Sequence, residues 1–367
     1  MDFRAELRAW LADHVTPDVV SAGRSGDLSA LREWNAVLAD AGWAAPAWPI
    51  EFGGRDAGID DQLAYFEEMD AARAPGPVNT IGVSNIAPAI MAWGTDEQKD
   101  RFLRPMLRGD EIWSQGMSEP DAGSDLASLR TSAVVDGAHY VVNGEKIWNS
   151  LGHHADWCQL YVRTDPDAPK HRGISCVLVD LHGPGVEARP IRTITGEEVF
   201  ASLRFSDARV PVSALLGPAN EGWRVAVTTL SHERAGVARL HLSLRRKIDE
   251  LIAVAPASAR RDPVVRDELM AVYSEIMCMK LMTDRSLAHM RAGREPPAAL
   301  GSLAKLAWSH ADQRLANAAP RVIGLAALDG RWATELASAR QTSIAGGTTE
   351  INKSIVAEQG LGLPRDR

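Results

Sequence analysis

Cysteine is scarce in this chain. Its three cysteines, Cys158, Cys176 and Cys278, form no CxxC and no paired spacing, so neither a disulfide framework nor a thiolate metal site is expected. No apolar run reaches the roughly 18 residues that a membrane span requires, and the segment after Met1 lacks a signal-peptide core. A GxGxxG turn and a Walker loop are both missing, which removes support from nicotinamide and nucleoside-triphosphate chemistry. There is no internal repeat, low-complexity tract or Gly-Ser linker. Excess basic charge is lacking too: 48 acidic against 40 basic residues leave a formal charge of -8, which argues against nucleic acid as a partner. What is present is a globular composition, 45% hydrophobic and 24% charged over 367 residues, long enough for two or three domains of about 150 residues. The expectation is a cytoplasmic protein without disulfides.

The pattern along the chain changes twice. Residues 1–112 read as helical, interrupted by the Trp- and Pro-rich run Gly42–Pro49 and by Gly53–Gly54. Asp60–Asp61 is expected to cap a helix carrying Leu63, Phe66 and Asp70, and Thr95 with Gln98 to open another as a capping box. Residues 113–215 hold short β-branched and aromatic runs: Ser132–Val135, His139–Val142, Trp157–Arg163, Ile174–Asp180, Glu187–Pro190 and Val199–Phe205. Asp136-Gly137 and Asn143-Gly144 read as hairpin turns between the early members. This spacing predicts an antiparallel barrel or sandwich. Residues 216–367 return to helical period, with one apolar stripe from Trp223 to Leu251 and helices at Val264–Met290, Leu300–Asn317, Pro320–Ser338 and Thr349–Gln359. The fold class is α+β: a helical domain, a β domain and a helical bundle.

Glu233 is the most informative residue. It follows Leu230 by three positions and precedes Val237 by four, so it falls on the apolar stripe. A carboxylate there is paired or used: either it forms a buried ion pair with Arg234, or it is a general base whose pKa burial has raised. The polar loop Gln115–Asp125 is either a turn or a cradle whose small residues let backbone N–H groups approach a ligand. Gly144–Ser150 sets the indole of Trp148 two residues from the Ser150 hydroxyl, as core or as a wall beside a ring system. Gly346-Gly347 runs into a helix capped by Thr348 or Thr349, which accounts for the motif as a cap but also offers N–H groups to an anion or carbonyl oxygen. His153, His154, Asp156 and Cys158 lack a second pair at metal-ligand spacing. His232-Glu233 is not continued to HExxH, and Ser302-x-x-Lys305 has no companion motif.

Taken together these stretches resemble the acyl-CoA dehydrogenase family of flavoproteins over nearly the whole chain. The resemblance rests on Trp48–Gly54, Gly94–Lys99, the Ser118–Asp125 loop, Asn143–Ser150, Asp207–Pro211 and Gly346–Ala357, in the family's order. It implies an N-terminal helical domain, a central antiparallel β domain and a C-terminal four-helix bundle. FAD is the implied cofactor, with Met117 and Ser118 at the flavin pyrimidine edge, Trp148 and Ser150 against the isoalloxazine, and Thr348 and Glu350 on the FAD of this or a neighbouring subunit. Ser124 and Arg234 are implied at the acyl-CoA. The family's base stands either before the terminal Gly-Thr or in the long helix. Here the first place is Gly346 and the second Glu233, so the chain is similar to the helix-borne-base subgroup, in an actinobacterial-type form.

The implied reaction is concerted. Glu233 takes the α-proton, the β-hydride goes to the flavin, and the product is a trans-2-enoyl-CoA. The Gly346 amide and a flavin ribityl hydroxyl polarise the thioester carbonyl. A helix-borne base suits branched, long or ring-bearing acyl groups, and an electron-transfer flavoprotein is the implied acceptor. Two family stretches are not recognisable: the Arg-x-x-Phe-Gly within Ala255–Arg266, and the Gln and Gly-Gly-x-Gly, where Arg321 and Gly324–Ala327 stand. Such losses resemble α2β2 heterotetramers, with this chain as the catalytic subunit; a homodimer or homotetramer is the other expectation. Competing readings are an acyl-CoA oxidase or flavin monooxygenase of the same fold, and a non-catalytic partner subunit.

Overall fold

A computed structural model describes residues 2–235, 240–294, 297 and 299–365, with side chains described outside 231–235. The chain divides into two compact units, Met1–His232 and Glu233–Arg367.

The first unit opens with α1 (Phe3–His14), α2 (Pro17–Ser25), α3 (Leu28–Asp40), α4 (Ile59–Ala71), α5 (Ala87–Trp93) and α6 (Asp96–Arg108). The capping box at α6 forms as expected, Thr95 receiving Gln98 N–H and Gln98 receiving Thr95 N–H. Asp60 and Asp61 do not cap α4. Gly58 holds the cap position, and the two carboxylates lie in the first turn, where they oppose the helix dipole. The six-residue stretch before α5, Ile81–Ile86, contains a π-helical turn, Gly82–Ile86.

The strands are β1 (Trp113–Gly116), β2 (Ser132–Asp136), β3 (His139–Ser150), β4 (Trp157–Arg163), β5 (Ile174–Asp180), β6 (Val186–Ile191), β7 (Phe200–Pro211) and β8 (Leu215–Leu216). They form one sheet in the order β6-β7-β3-β2-β4-β5-β8, with β1 added on β4. The pairings are antiparallel apart from β1 with β4 and a single pair, Ser132 with Arg163, between β2 and β4. The parallel β1 was not expected; it enters directly from the helices, not through a hairpin, and is separated from β4 by the β2–β3 hairpin. Of the two expected turns, Asp136-Gly137 is one, with Gly137 at φ 60° and Asp136 paired to His139. Asn143-Gly144 is not: β3 runs through it. The Asn143 side chain exchanges hydrogen bonds with Asp207 on β7, and Gly144 (φ 147°) is required because a Cβ there would lie 2.7 Å from the Thr131 Cα.

Both faces of the sheet are covered at β4 and β5, whereas β3, β6 and β7 alternate between more buried and more exposed positions. One face shares a core with the helices, where Phe102 of α6 sets its ring edge-on against the stacked indoles of Trp113 and Trp157. The other packs Val142, Leu160, Val177, Leu203 and Phe205. That is why Ile174–Asp180 reads as a continuous apolar run and not as an alternation. The unit ends in α7 (Gly222–Ala235), whose final residues belong to the second unit.

The second unit contains α8 (Leu240–Val254), α9 (Ala257–Arg261), α10 (Pro263–Arg291), α11 (Ala299–Ile323), α12 (Gly330–Ser338) and α13 (Thr349–Ile355). Leu244, Ile248 and Leu251 of α8 meet Val272, Ile276, Ala311 and Leu315 in its core, the spacing of a helical stripe. The predicted stripe from Trp223 to Leu251 holds on α8, where Leu244, Ile248 and Leu251 are buried, but not on α7, which buries Val225, Ala226 and Thr229 and leaves Val227 of the stripe exposed; residues 236–239 between them, Val237 included, lie outside the described residues. The expected break before Pro320 falls later. α11 continues through Pro320 to Ile323, because a proline in the last turn removes only the bond to Ala316, and the chain turns at Gly324 instead. Among the described residues no helix is long and apolar enough to cross a membrane.

Candidate active site

The polar loop grows out of β1. After Gly116 the chain passes through Met117 and Ser118 to Glu119, which forms a tight turn with Ala122 (N–H to O 2.9 and 3.1 Å). Both oxygens of the Glu119 carboxylate are taken by backbone N–H groups: Arg130 at 2.7 Å and Thr131 at 2.9 Å. Lys146 of β3 reaches beneath the loop. Its fully enclosed ammonium donates to the Met117 carbonyl (3.0 Å) and to Glu119 Oε1 (2.9 Å). Burial pushes the Lys146 pKa down and the Glu119 charge opposes it. Burial also acts to raise Glu119, but the Lys146 charge and the bonds from Thr131, Lys146 and Arg130 outweigh it and hold the carboxyl below its ordinary value.

Immediately after Lys146, β3 bulges. Lys146 pairs with Leu203 and Asn149 with Ala201, so the register slips between them. A bulge re-aims a side chain, and here Trp148, in left-handed backbone at φ 63°, presents its indole 56% exposed, edge-on to Phe200 at 6.0 Å. For a bulky residue that conformation is strained. The bulge is tied to the loop: Ile147 N–H donates to Ser118 O at 2.9 Å, Asn149 Nδ2 donates to Gln115 O, and the Ser114 hydroxyl donates to Ser150 O at 2.9 Å. The segment Ser114–Ser118, which carries Met117 and Ser118, is thereby laid alongside the segment Ile147–Ser150, which carries Trp148 and Ser150. Gln115 Nε2 and Asn149 Oδ1 are buried with no hydrogen-bond partner among the described residues.

Other predicted residues lie elsewhere. Ser124 is exposed between the Glu119–Ala122 turn and the 3-10 turn Leu126–Ser128. Glu233 and Arg234 belong to the last turn of α7, and their side chains lie outside the described residues. One turn earlier α7 is fixed to the sheet, where Thr229 Oγ1 meets Gln159 Nε2 at 3.3 Å and Tyr161 OH at 3.2 Å, all three residues fully buried. Trp93 Nε1 adds a bond to Thr228 Oγ1 at 3.0 Å. In the second unit Gly346 and Gly347 have φ 67° and 88°. Thr348 caps α13 through Ile351 N–H, Asn352 Nδ2 donates to Gly347 O (2.8 Å) and Thr348 O (3.0 Å), and Glu350 is exposed in the first turn.

Lys146 and Glu119 carried no role in the sequence reading. Lys146 had a signal, a cation at an inward strand position in phase with Val142, whereas nothing in the sequence linked it to Glu119.

The sequence model of the acyl-CoA dehydrogenase N-terminal domain matches residues 1–110, that of the middle domain 114–208 and that of the C-terminal domain 220–361. The chain belongs to the acyl-CoA dehydrogenase family. It is 37% identical to acyl-CoA dehydrogenase IpdE1 of Mycolicibacterium smegmatis, over 100% of this chain and 98% of that protein. Among solved structures it resembles one described as the Tcur3481-Tcur3483 steroid ACAD (TM-score 0.89, 32% identity, 99% and 97% of the two chains). It likewise resembles the ChsE4-ChsE5 complex of Mycobacterium tuberculosis (TM-score 0.85, 35% identity, 100% and 97%).

This acyl-CoA dehydrogenase is therefore an oxidoreductase of a flavoprotein family. Its first unit suits a flavin: an exposed, strained indole gives a flat apolar face, and in the two adjoining strands Gln115 Nε2 and Asn149 Oδ1 are without a hydrogen-bond partner among the described residues.

Proposed function

We propose that this dehydrogenase holds FAD and introduces the α,β double bond of a trans-2-enoyl-CoA into a bulky, ring-bearing acyl-CoA. The observation that carries the flavin reading is Trp148, displayed in left-handed backbone at a bulge fastened to the Met117–Ser118 loop. The Met117–Ser118 peptide offers its backbone amide, and Ser118 and Ser150 offer hydroxyls, to the polar edges of the ring, while Trp148 shields one face. Thr348 and Glu350 serve the same cofactor, in this subunit or a neighbour. FAD, when bound, supplies the hydride acceptor.

Glu233 is the base, accepting the α-proton on its carboxylate. The Gly346 N–H donates to the thioester oxygen and stabilises the charge that gathers there as the proton leaves. Ser124 and Arg234 contact the acyl-CoA. Exclusion of water by the bound substrate strengthens the Gly346 bond and favours the protonated form of Glu233.

A helix-borne base and the steroid description of a 32% identical structure support a ring-bearing acyl group. The reaction is placed in the cytoplasm, with an electron-transfer flavoprotein as acceptor. A heteromeric α2β2 assembly is supported by the two-component structures this chain resembles. Local engagement of its basic residues points the same way: Arg260 donates to the carbonyls of Ala253 and Ala255, and Arg321 pairs with Glu268 at 3.1 Å. The test is turnover of the purified chain, alone and co-expressed with a candidate partner, on steroid side-chain, branched and straight-chain acyl-CoAs, measured anaerobically with an artificial electron acceptor and in parallel under air. Turnover of the ring-bearing substrate without peroxide formation under air is expected. Preference for short straight chains overturns the substrate class, and stoichiometric peroxide favours an oxidase.

A further inference from the structure

Lys146 has no part in that reaction, yet its burial demands a reason. A lysine ammonium with no exposed surface is unfavourable unless it is paired and fully hydrogen-bonded. Here it spans two acceptors, the Met117 carbonyl and the Glu119 carboxylate, and that carboxylate is itself fixed by the Arg130 and Thr131 N–H groups. Three successive loop residues are thus held from β3: Met117 and Glu119 by Lys146, and Ser118 by the N–H of Ile147. The next residue is Trp148. One short stretch of β3 therefore sets both the loop and the indole.

The bond to Met117 does more than hold position. The Met117 carbonyl and the Ser118 N–H share one peptide unit, and a charged donor on the oxygen polarises that unit and strengthens its N–H as a donor. We infer that Lys146, with Glu119 as its counter-charge, is a positioning pair that fixes and polarises the Met117–Ser118 peptide against the flavin edge, raising FAD affinity and the flavin midpoint potential. The inference rests on the proposed placing of Met117 and Ser118 at the flavin. The potential rises because a stronger donor at that edge favours the ring in its electron-rich state.

Wild type, Lys146→Met and the double variant Lys146→Met/Glu119→Gln separate this role from simple fold support. The double variant leaves no unpaired buried charge, so it is expected to melt at a higher temperature than Lys146→Met. Even so it binds FAD about tenfold or more weakly than wild type and has a more negative midpoint potential, read by reconstitution of the full chain and by spectroelectrochemistry. Wild-type affinity and potential in a folded double variant overturn the inference and leave Lys146 a structural residue. A wild-type protein that binds no flavin, alone or with a partner chain, overturns the proposed site and this inference with it, a result distinct from the first.

Discussion

Trp148 sets stability against the flavin-binding role proposed for it. An indole that is more than half exposed at φ 63° gives little burial energy and adds backbone strain of order 1–3 kcal/mol. Trp148→Gly removes that strain, because glycine accepts positive φ freely. The variant is expected to melt at or above the wild-type temperature, within about 1 kcal/mol in stability, while its flavin binds more weakly and fluoresces more strongly. A marked loss of stability with flavin binding intact would show that the indole is a core residue. The sequence made Trp148 and Ser150 visible as a pair, but their setting was misread. Asn143-Gly144 has the chemistry of a turn, whereas here Asn143 spends its amide on Asp207 and Gly144 serves the approach to Thr131. The positioning role proposed for Lys146 was illegible because it depends on Glu119, 27 positions away.

At the level of elements, α1 is docked on α4 by charge as well as by apolar packing. Glu68, almost wholly buried, accepts from Arg8 (2.7 and 2.9 Å) and Arg4 (3.0 Å). The Arg8 bond lowers its pKa most; burial opposes this, and Arg4 adds to the lowering. A carboxyl depressed in the folded state contributes stability that is fully present above its unfolded pKa and is lost as pH falls through the folded value. Acidification from neutrality to below the ordinary carboxyl range, about pH 4, is therefore expected to release α1 first. The packed Trp10, Trp34 and Trp43 rings report it: the fluorescence change should come before loss of far-ultraviolet helix signal and be absent in Glu68→Gln at neutral-to-acid pH, where the titrating group is gone. Coincident transitions in the two signals contradict local release. Elements with strong local chemistry, such as the Thr95 capping box and the strands Trp157–Arg163 and Ile174–Asp180, were legible to the residue. β1 and β8 were not, being short segments whose strand character comes from their neighbours on β4 and β5.

Across the whole molecule, the order helices, sheet, helices was readable from the change of hydrophobic period, and the matching of three successive domain models agrees with it. What the pattern does not contain is how strongly the parts share cores. The N-terminal helices and the sheet fold into one unit with a common interior, because Trp113, Tyr161 and Cys176 turn the helical side of the sheet into core. α7 leaves that unit fastened through Thr229, four residues before Glu233, so the latch on the sheet and the proposed base lie one helical turn apart. The reaction proposed for this acyl-CoA dehydrogenase requires that carboxylate as its base. The most direct measurement is the anaerobic half-reaction of flavin-loaded wild type and Glu233→Gln with a ring-bearing acyl-CoA, followed by the visible flavin absorbance. Rapid bleaching is expected in wild type and, in Glu233→Gln, retained flavin and substrate binding with bleaching slowed by roughly 10²–10⁴-fold. Equal bleaching rates in the two proteins would contradict Glu233 as the base.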